Sequence, residues 1–459
     1  MISKVKTICG ENRIFVVFVS TFVIAMLIYV SAASSNVPFM DYWRYANSLI
    51  EKSMNGGVTF WDIYSVNGVH RSPLQILFFL LNVKVFHWNT QVAIYLAVFV
   101  LAIFCAILYF QYKKTLRDEK SSVIGGLVFL AVVFNYAKWE IYTLEFAFSF
   151  AVGILCQFLC LVWTDKFLRN IDEQKKNVFA LSFLYILLIC TVSGGQFAGF
   201  AGCMSIVIIW DYLRKNSDEK KRLFGYYICL GAAMVLGMLL YMNGLDVGNG
   251  VLHGLSLSLL WEIPYGILLM FGSSLIGSGH ALILTGIAGA AVLIITVISC
   301  YTYFHYRLYK ITYIPVMMLL YSLFYILLCC FGRGLEFGMS YVTSSRYIYY
   351  TDWILIANVW ILMLKPKTEK NKRRNSVWLR SCILILFFVC SLHTNYKEWK
   401  YAPYRKDYYQ NLIQKMYQID NISDEDLTGF QASSPDYVRN VVGLMKKYHL
   451  GVFYWGNNE

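Results

Sequence analysis

Apolar runs of about 17–25 residues recur along most of this chain, each long enough for one helix across roughly 30 Å of hydrocarbon. Inside a bilayer, backbone N–H and C=O groups must be paired within the segment, which restricts each run to a helix. Soluble domains run near 25% charged residues. Here 15% of 459 residues are charged and 58% are hydrophobic, more apolar sequence than a soluble core absorbs. The expected class is therefore an all-α polytopic membrane protein with about 11 transmembrane helices (roughly 10–13). The expected spans are residues 14–33, 90–112, 121–137, 145–163, 177–194, 196–212, 223–242, 281–302, 312–330, 349–365 and 377–393. The first run is long enough to be a true span rather than a cleaved signal. Leu257–Gly277 is apolar but contains Glu262, Pro264 and several glycines, so it reads as a re-entrant or interfacial helix, or as two short spans.

The formal charge is +13. Its distribution argues for topology rather than nucleic acid. Lys and Arg gather in alternate short loops, for example Lys113, Lys114, Arg117 and Lys120, then Lys367, Lys370, Lys372, Arg373 and Arg374. Gly244–His280 contains neither. That is the positive-inside pattern: it puts the N-terminus in the cytoplasm and, after eleven crossings, the C-terminus outside the cell membrane. Of twelve cysteines, all but Cys9 fall in or beside apolar spans, where a thiol behaves as a small hydrophobe. No disulfide or cysteine-metal site is expected.

Two regions stand apart. The first outer loop, residues 34–89, is too polar and too broken to span. A helix is expected from about Asp41 to Met54, ended by Asn55-Gly56-Gly57. A second, Pro73–Phe86, follows Ser72, a good N-cap ahead of a proline suited to the first helical position. At about 14 residues it is short for a span and suits the membrane surface. Thr394 onward is rich in Tyr, Lys and Asp. The expected division is a membrane domain over 1–393 and a small extracytoplasmic segment over 394–459. In the latter, Tyr404–Tyr417 and Ser434–Tyr448 read as helices, and Leu450–Trp455 as a strand or anchor.

Ionisable groups at membrane depth cost about 2.5–3.5 kcal/mol each on the insertion scale. Several collect on the predicted outer side: Asp41, Arg44, His70, Arg71, Lys138, Glu140, Glu145, Asp246, His253, Glu262, His280, Arg333, Glu336, Arg346 and Asp352. Asp41 could take a proton from an attacking sugar hydroxyl. Equally, it could cap the helix it opens or pair with Arg44 one turn on. His70-Arg71 could bind phosphate, or anchor to lipid headgroups. Arg333 in Phe331-Gly332-Arg333-Gly334 and Arg346 in Ser344-Ser345-Arg346-Tyr347 suit a phosphate leaving group, or end spans. Trp139-Glu140 and Glu145 could bind sugar hydroxyls, although aromatic residues also collect at membrane interfaces. No HExxH, P-loop or GxSxG pattern occurs, and the histidines show no ligand spacing, so no cofactor or metal is indicated.

Four short elements together resemble the GT-C class of polytopic glycosyltransferases, in particular bacterial enzymes that use polyprenyl-phosphate sugars. They are Pro38-Phe39-Met40-Asp41-Tyr42-Trp43, Val69-His70-Arg71, Trp139-Glu140, and Gly332-Arg333 with Ser345-Arg346-Tyr347. Three positions depart from the pattern: Tyr42 stands where a second acid is frequent, Val69 where a Glu precedes His-Arg, and Ile141 where an Asn follows Trp-Glu. The resemblance implies loop-one interfacial helices and inverting transfer from a polyprenyl-phosphate sugar to a cell-envelope glycan or lipid-linked acceptor at the outer face. It implies Asp41 as base, acting without a metal-binding acid pair. His70, Arg71, Glu140, Arg333, Arg346 and Tyr347 would contact substrate. A glycan flippase and a polysaccharide polymerase remain as rival readings.

Overall fold

A computed structural model of the chain describes residues 2–66, 71–116, 119–169, 174–191, 194–244, 261–364 and 373–455. Every regular element among them is helical. In order, the helices are α1 Ile2–Ala33, α2 Tyr42–Asn55, α3 Phe60–Ile63, α4 Pro73–Phe86, α5 Thr90–Thr115, α6 Glu119–Val133, α7 Trp139–Tyr142, α8 Ala147–Arg169, α9 Gln174–Leu188 and α10 Gly194–Arg214. They continue as α11 Ser217–Met242, α12 Ile263–Ile276, α13 Leu282–His305, α14 Ile314–Cys329, α15 Leu335–Phe337, α16 Ser345–Thr351, α17 Trp353–Met363 and α18 Arg373–Tyr417, and close with α19 Asp424–Leu427, α20 Pro435–Tyr448 and α21 Val452–Trp455.

The chain is an all-α polytopic membrane protein. Among the described residues nine helices are long and apolar enough to cross a membrane, and each coincides with an expected span. The other two expected spans are shorter here. Residues 177–194 correspond to α9, of 15 residues. Residues 349–365 fall on α16 and α17, which are separated at Asp352. All eleven residues of α17 are buried, so it is the axis of the bundle rather than a lipid-facing wall. Within 257–277, the described part is the 14-residue helix α12, with Pro264 in its first turn. It lies closely along α13, and the contact depends on glycine: a Cβ on Gly272 would fall 1.8 Å from the Thr285 carbonyl oxygen, and one on Gly289 1.8 Å from that of Leu268. Small residues allow such backbone approach inside a membrane.

The loop-one helices form as expected. α2 buries Tyr42, Trp43, Tyr45, Ala46, Leu49 and Ile50, one helical face, and Gly56 closes it at φ 77°. α4 leaves Leu77, Leu81 and Val85 about half exposed, a stripe at i, i+4 and i+8 suited to lie on lipid. The short helix α3 was not expected; Thr59 and Asp62 cap it reciprocally.

The end of the chain differs from expectation in two ways. The last span and the helix at 404–417 are one element, α18, of 45 residues and roughly 67 Å long. The shift from apolar to Tyr- and Lys-rich sequence marks a change of surroundings, not a helix end, and Pro403 removes only one backbone donor. Of the strand and the anchoring segment expected at Leu450–Trp455, the strand does not form: α21 lies there. The C-terminal helices share a hydrophobic core with loop one. Val438, Val441, Val442 and Met445 of α20 pack with Trp43, Leu49 and Ile50 of α2, with Trp88, and with Leu412 and Met416 of α18.

Gly289→Ala should lower the thermal unfolding temperature of detergent-purified protein, at a cost of about 1–3 kcal/mol from overpacking. Gly225→Ala, where nothing lies within 4 Å of the added carbon, should leave it unchanged or raise it.

Candidate functional site

The site is assembled where α6 ends. Asn135 accepts from the Ala137 N–H at 2.8 Å and turns the chain into a short 3₁₀ segment. Lys138 then folds back: its ammonium donates to the Val132 and Val133 carbonyls at 2.7 and 3.0 Å and to Asp352 Oδ2 at 2.5 Å. Both side chains of this ion pair are under 5% exposed. A cation beside the unpaired carbonyls of a helix C-terminus is favourable by charge and by hydrogen bonding. The partner, Asp352, sits at the break between α16 and α17, so the pair ties the end of α6 to the central helix.

One turn of α7 later, Glu140 meets the start of α16. Ser345 Oγ donates to Glu140 Oε2 at 2.9 Å and accepts from the Glu140 N–H at 3.3 Å. Arg346 Nη1 reaches Glu140 Oε1 at 3.3 Å and Met40 Sδ at 3.9 Å. Its other terminal nitrogen donates to the Tyr341 hydroxyl, and the guanidinium lies 5.3 Å and 5.5 Å from the Tyr341 and Tyr347 ring centres. Burial pushes the Tyr347 phenol up to about 12, so it stays a hydrogen-bond donor at neutral pH. Three segments far apart in sequence therefore converge: Met40 of loop one, Glu140 after α6, and Ser345–Tyr347.

Asp41 occupies the N-cap position of α2, but its side chain accepts no capping bond, and it has no side-chain partner among the described residues. Its neighbour Met40 takes a left-handed backbone, φ 55°, and donates its N–H to the Phe430 carbonyl at 3.2 Å. Tyr42, where a second acid is frequent in the resembling enzymes, is buried. Its hydroxyl donates to the Glu145 carbonyl at 3.4 Å and its ring packs on Phe146 at 4.7 Å. It is a core residue here.

The remaining sequence candidates lie elsewhere. Arg71 is buried, with its guanidinium 4.0 Å above the Tyr64 ring and donating to the carbonyls of Tyr64, at 2.9 Å, and Asn243. It joins loop one to the end of α11. Arg333 lies in a π-helical turn after α14, paired with Glu336 at 3.0 Å and partly exposed. His70, Asp246 and His253 fall outside the described residues. Among the described residues, no three His, Cys, Asp or Glu side chains gather as a metal-binding group would.

Two features escaped the sequence reading. A cavity of about 450 Å³ lies beside Glu140, between Phe39–Met40 and α18, with Arg405 in its wall. Six of its ten lining residues sit in the tail, whose composition suggested only a cap. The second is the state of Glu145, in the connector between α7 and α8. It is 3% exposed, and the Trp88 Nε1–H lies 3.1 Å from each carboxyl oxygen. Burial pushes its pKa up to about 8, against the opposing effect of the Trp88 hydrogen bond.

Fold and site together define a polytopic helical membrane protein with an ionic, aromatic-walled site at the end that carries loop one. No protein-family profile matches the chain, and no curated protein matches it. Among solved structures it is similar to archaeal oligosaccharyltransferase AglB from Archaeoglobus fulgidus, determined in complex with an inhibitory peptide and a dolichol-phosphate. The TM-score is 0.40 at 13% identity, over 90% of this chain and 59% of that one. The chain thus spans about 59% of the length of that structure.

Two tests follow from this geometry. A carboxyl neutral in the fold but ionised in the unfolded chain stabilises most at low pH. That advantage is full below about 4.5, is lost as pH rises, and is gone above about 8. Glu145→Gln should match wild type in unfolding temperature near pH 4 and exceed it by a margin that grows to pH 8. Lys138→Met, which leaves a buried carboxylate uncompensated, should cost about 3–5 kcal/mol, and Lys138→Met/Asp352→Leu should recover much of it. Unfolding in detergent measures both, across about pH 4–8 for Glu145 and at neutral pH for the ion pair.

Proposed function

We propose that the chain is a membrane glycosyltransferase. It moves a sugar from a polyprenyl-phosphate donor to a cell-envelope glycan or lipid-linked acceptor at the outer face, with inversion at the anomeric carbon. The observation that carries this reading is the difference between the acids of the site. Glu140 is committed to Arg346 and Ser345, Glu145 is buried against Trp88, and Asp41 alone of the three keeps a carboxylate without a described partner. A general base needs a free lone pair within reach of the proton it removes.

In this scheme Asp41 takes the proton of the attacking acceptor hydroxyl. The oxygen forms a bond to the anomeric carbon from the face opposite the phosphate, and the C–O bond to phosphate breaks. The electron pair leaves with polyprenyl phosphate, whose charge Arg346 stabilises as a fixed guanidinium in a partly dehydrated setting. Glu140 holds that guanidinium in place, and Tyr347 lines it. Arg333 is a second cation for the lipid phosphate, since an exposed pair such as that with Glu336 is worth only about 0–1 kcal/mol and opens readily. Arg71 contributes by fixing loop one through backbone carbonyls. His70 completes the set of substrate contacts that the resemblance implies.

Purified protein incubated with radiolabelled polyprenyl-phosphate sugars should transfer label to an acceptor or release it to water. Asp41→Asn should lower the rate by about 10²–10⁴-fold at unchanged expression and unfolding temperature. Arg346→Ala should also abolish turnover. Full activity in Asp41→Asn would reduce Asp41 to the start of a helix. No turnover with any of several donor sugars, by protein that still binds the lipid, would favour a flippase or polymerase.

A further inference from the structure

The cavity beside Glu140 has a composition that neither the phosphate-binding role of Arg346 nor bundle packing requires. One wall is α18, where Tyr401, Tyr404 and Tyr408 recur at i, i+3 and i+7 and Arg405 lies on the same face. Trp139 and Glu140 also line it, and Gln431 does so from the C-terminal segment. The tyrosine rings are 49%, 72% and 41% exposed. The polar groups beside them are fixed. Arg405 stacks on Trp139 at 4.0 Å, donates to Tyr29 Oη at 3.0 Å and pairs with Glu398. Glu140 is held from its other side by Ser345 and Arg346.

Among the described residues, two of the six non-glycine residues with left-handed backbone, Met40 at φ 55° and Gln431 at φ 51°, belong to this cavity. Both cost strain, and they lie on the two strands of chain joined by the Met40 N–H to Phe430 carbonyl bond. The α18 wall stands level with the last turns of α1, since Arg405 reaches Tyr29 and Lys406 Nζ reaches the Ser31 carbonyl at 3.2 Å. A belt of interfacial tyrosines is found at that depth for purely physical reasons. A belt does not, however, need a carboxylate, a guanidinium and an amide gathered around one volume of about 450 Å³, within the roughly 300–1,000 Å³ usual for small-molecule sites.

We propose that this cavity is a saccharide subsite, in which a pyranose of the acceptor glycan lays its C–H-rich face on Tyr404 and directs its hydroxyls to Glu140, Arg405 and Gln431. The assignment to acceptor rather than donor rests on the glycosyltransferase reading above. Arg346, the phosphate end of that site, lies across Glu140 from the cavity. Flat aromatic faces and apolar C–H faces associate without directionality, while the polar groups select the hydroxyl pattern.

The test uses full-length protein in detergent, with Tyr404→Ala, Tyr404→Phe and Gln431→Ala. Neither residue touches the reacting groups, and all three changes are at exposed side chains. Saturation-transfer NMR with methyl pyranosides and linear tri- to hexasaccharides reads binding. Donor hydrolysis to water, without acceptor, reads the chemistry separately. The expected result is that wild type and Tyr404→Phe bind a subset of the saccharides. Tyr404→Ala should weaken binding and raise the acceptor KM about tenfold, with donor hydrolysis unchanged. Gln431→Ala should alter which saccharides bind.

Equal binding and equal acceptor KM in Tyr404→Ala would overturn the subsite and leave these rings as interfacial anchors, and so would wild type that binds none of the saccharides. Saccharide binding lost in Tyr404→Ala, in protein that hydrolyses no donor, would keep the subsite and remove the transferase reading. The two proposals therefore fail separately.

Discussion

The buried Lys138–Asp352 ion pair is the joint on which the rest of the site hangs. An ammonium at that depth is tolerable only because every strong donor direction is used: two carbonyls at the end of α6 and one carboxylate between α16 and α17. Replacing such a pair with well-packed apolar residues is commonly neutral or stabilising, so stability alone does not account for it. What the pair supplies is registry. It fixes residues 135–142 against residues 344–352, and the same two segments meet again through Glu140, two residues after Lys138, and Ser345 and Arg346, at the other end of α16 from Asp352. The inner rung is dry and rigid; the outer rung is partly exposed, where a ligand can exchange for one of its contacts.

The second constraint is the shared core of loop one and the C-terminal helices. α2 is amphipathic and buries Tyr42, Trp43 and Leu49 in a core shared with other helices. α20 has the complementary stripe. Together they form a small aqueous-facing layer stapled to the bundle. The Gly451 N–H donates to the His87 carbonyl at 2.6 Å, and the Tyr454 ring stacks on His87 at 3.7 Å. Asp41 is placed by this layer rather than by the membrane helices, while Arg346 and Glu140 are placed by the bundle. The contact of Arg346 with Met40 is where the two frames meet.

Much of the architecture was legible because lipid leaves a segment so few choices. Length and hydropathy located nine spans, and Gly56 and Pro73 marked loop-one boundaries through turn and first-turn chemistry. The errors have physical causes. α17 is enclosed by other helices, so it has no bilayer thickness to match and is short. α18 runs out of the bilayer without changing conformation, because leaving lipid alters which side chains are favourable but not the helical hydrogen bonds. At the site, Glu140 and Arg346 could be picked out as costly ions in apolar surroundings, yet their pairing could not, since 206 positions separate them. Arg71 was picked out by the same cost, and the structure spends it on two backbone carbonyls, a use that sequence spacing cannot distinguish from phosphate binding. Arg405 was missed because a cation in a Tyr- and Lys-rich tail carries no such signal.

The acids near loop one show how surroundings, not residue type, assign chemistry. Glu145 has lost its water and keeps a single indole donor, which is too little to hold a charge, so it serves as a neutral wedge between Trp88 and Tyr42. Glu140 is bound by a guanidinium and a hydroxyl, and those bonds occupy both of its carboxyl oxygens. Asp41 is only partly buried and has no side-chain partner among the described residues. It occupies the N-cap position of α2, and its capping capacity is unspent. Three carboxylates near one rim thus stand in three different situations: one enclosed beside an indole, one bound by a guanidinium and a hydroxyl, and one with no side-chain partner among the described residues.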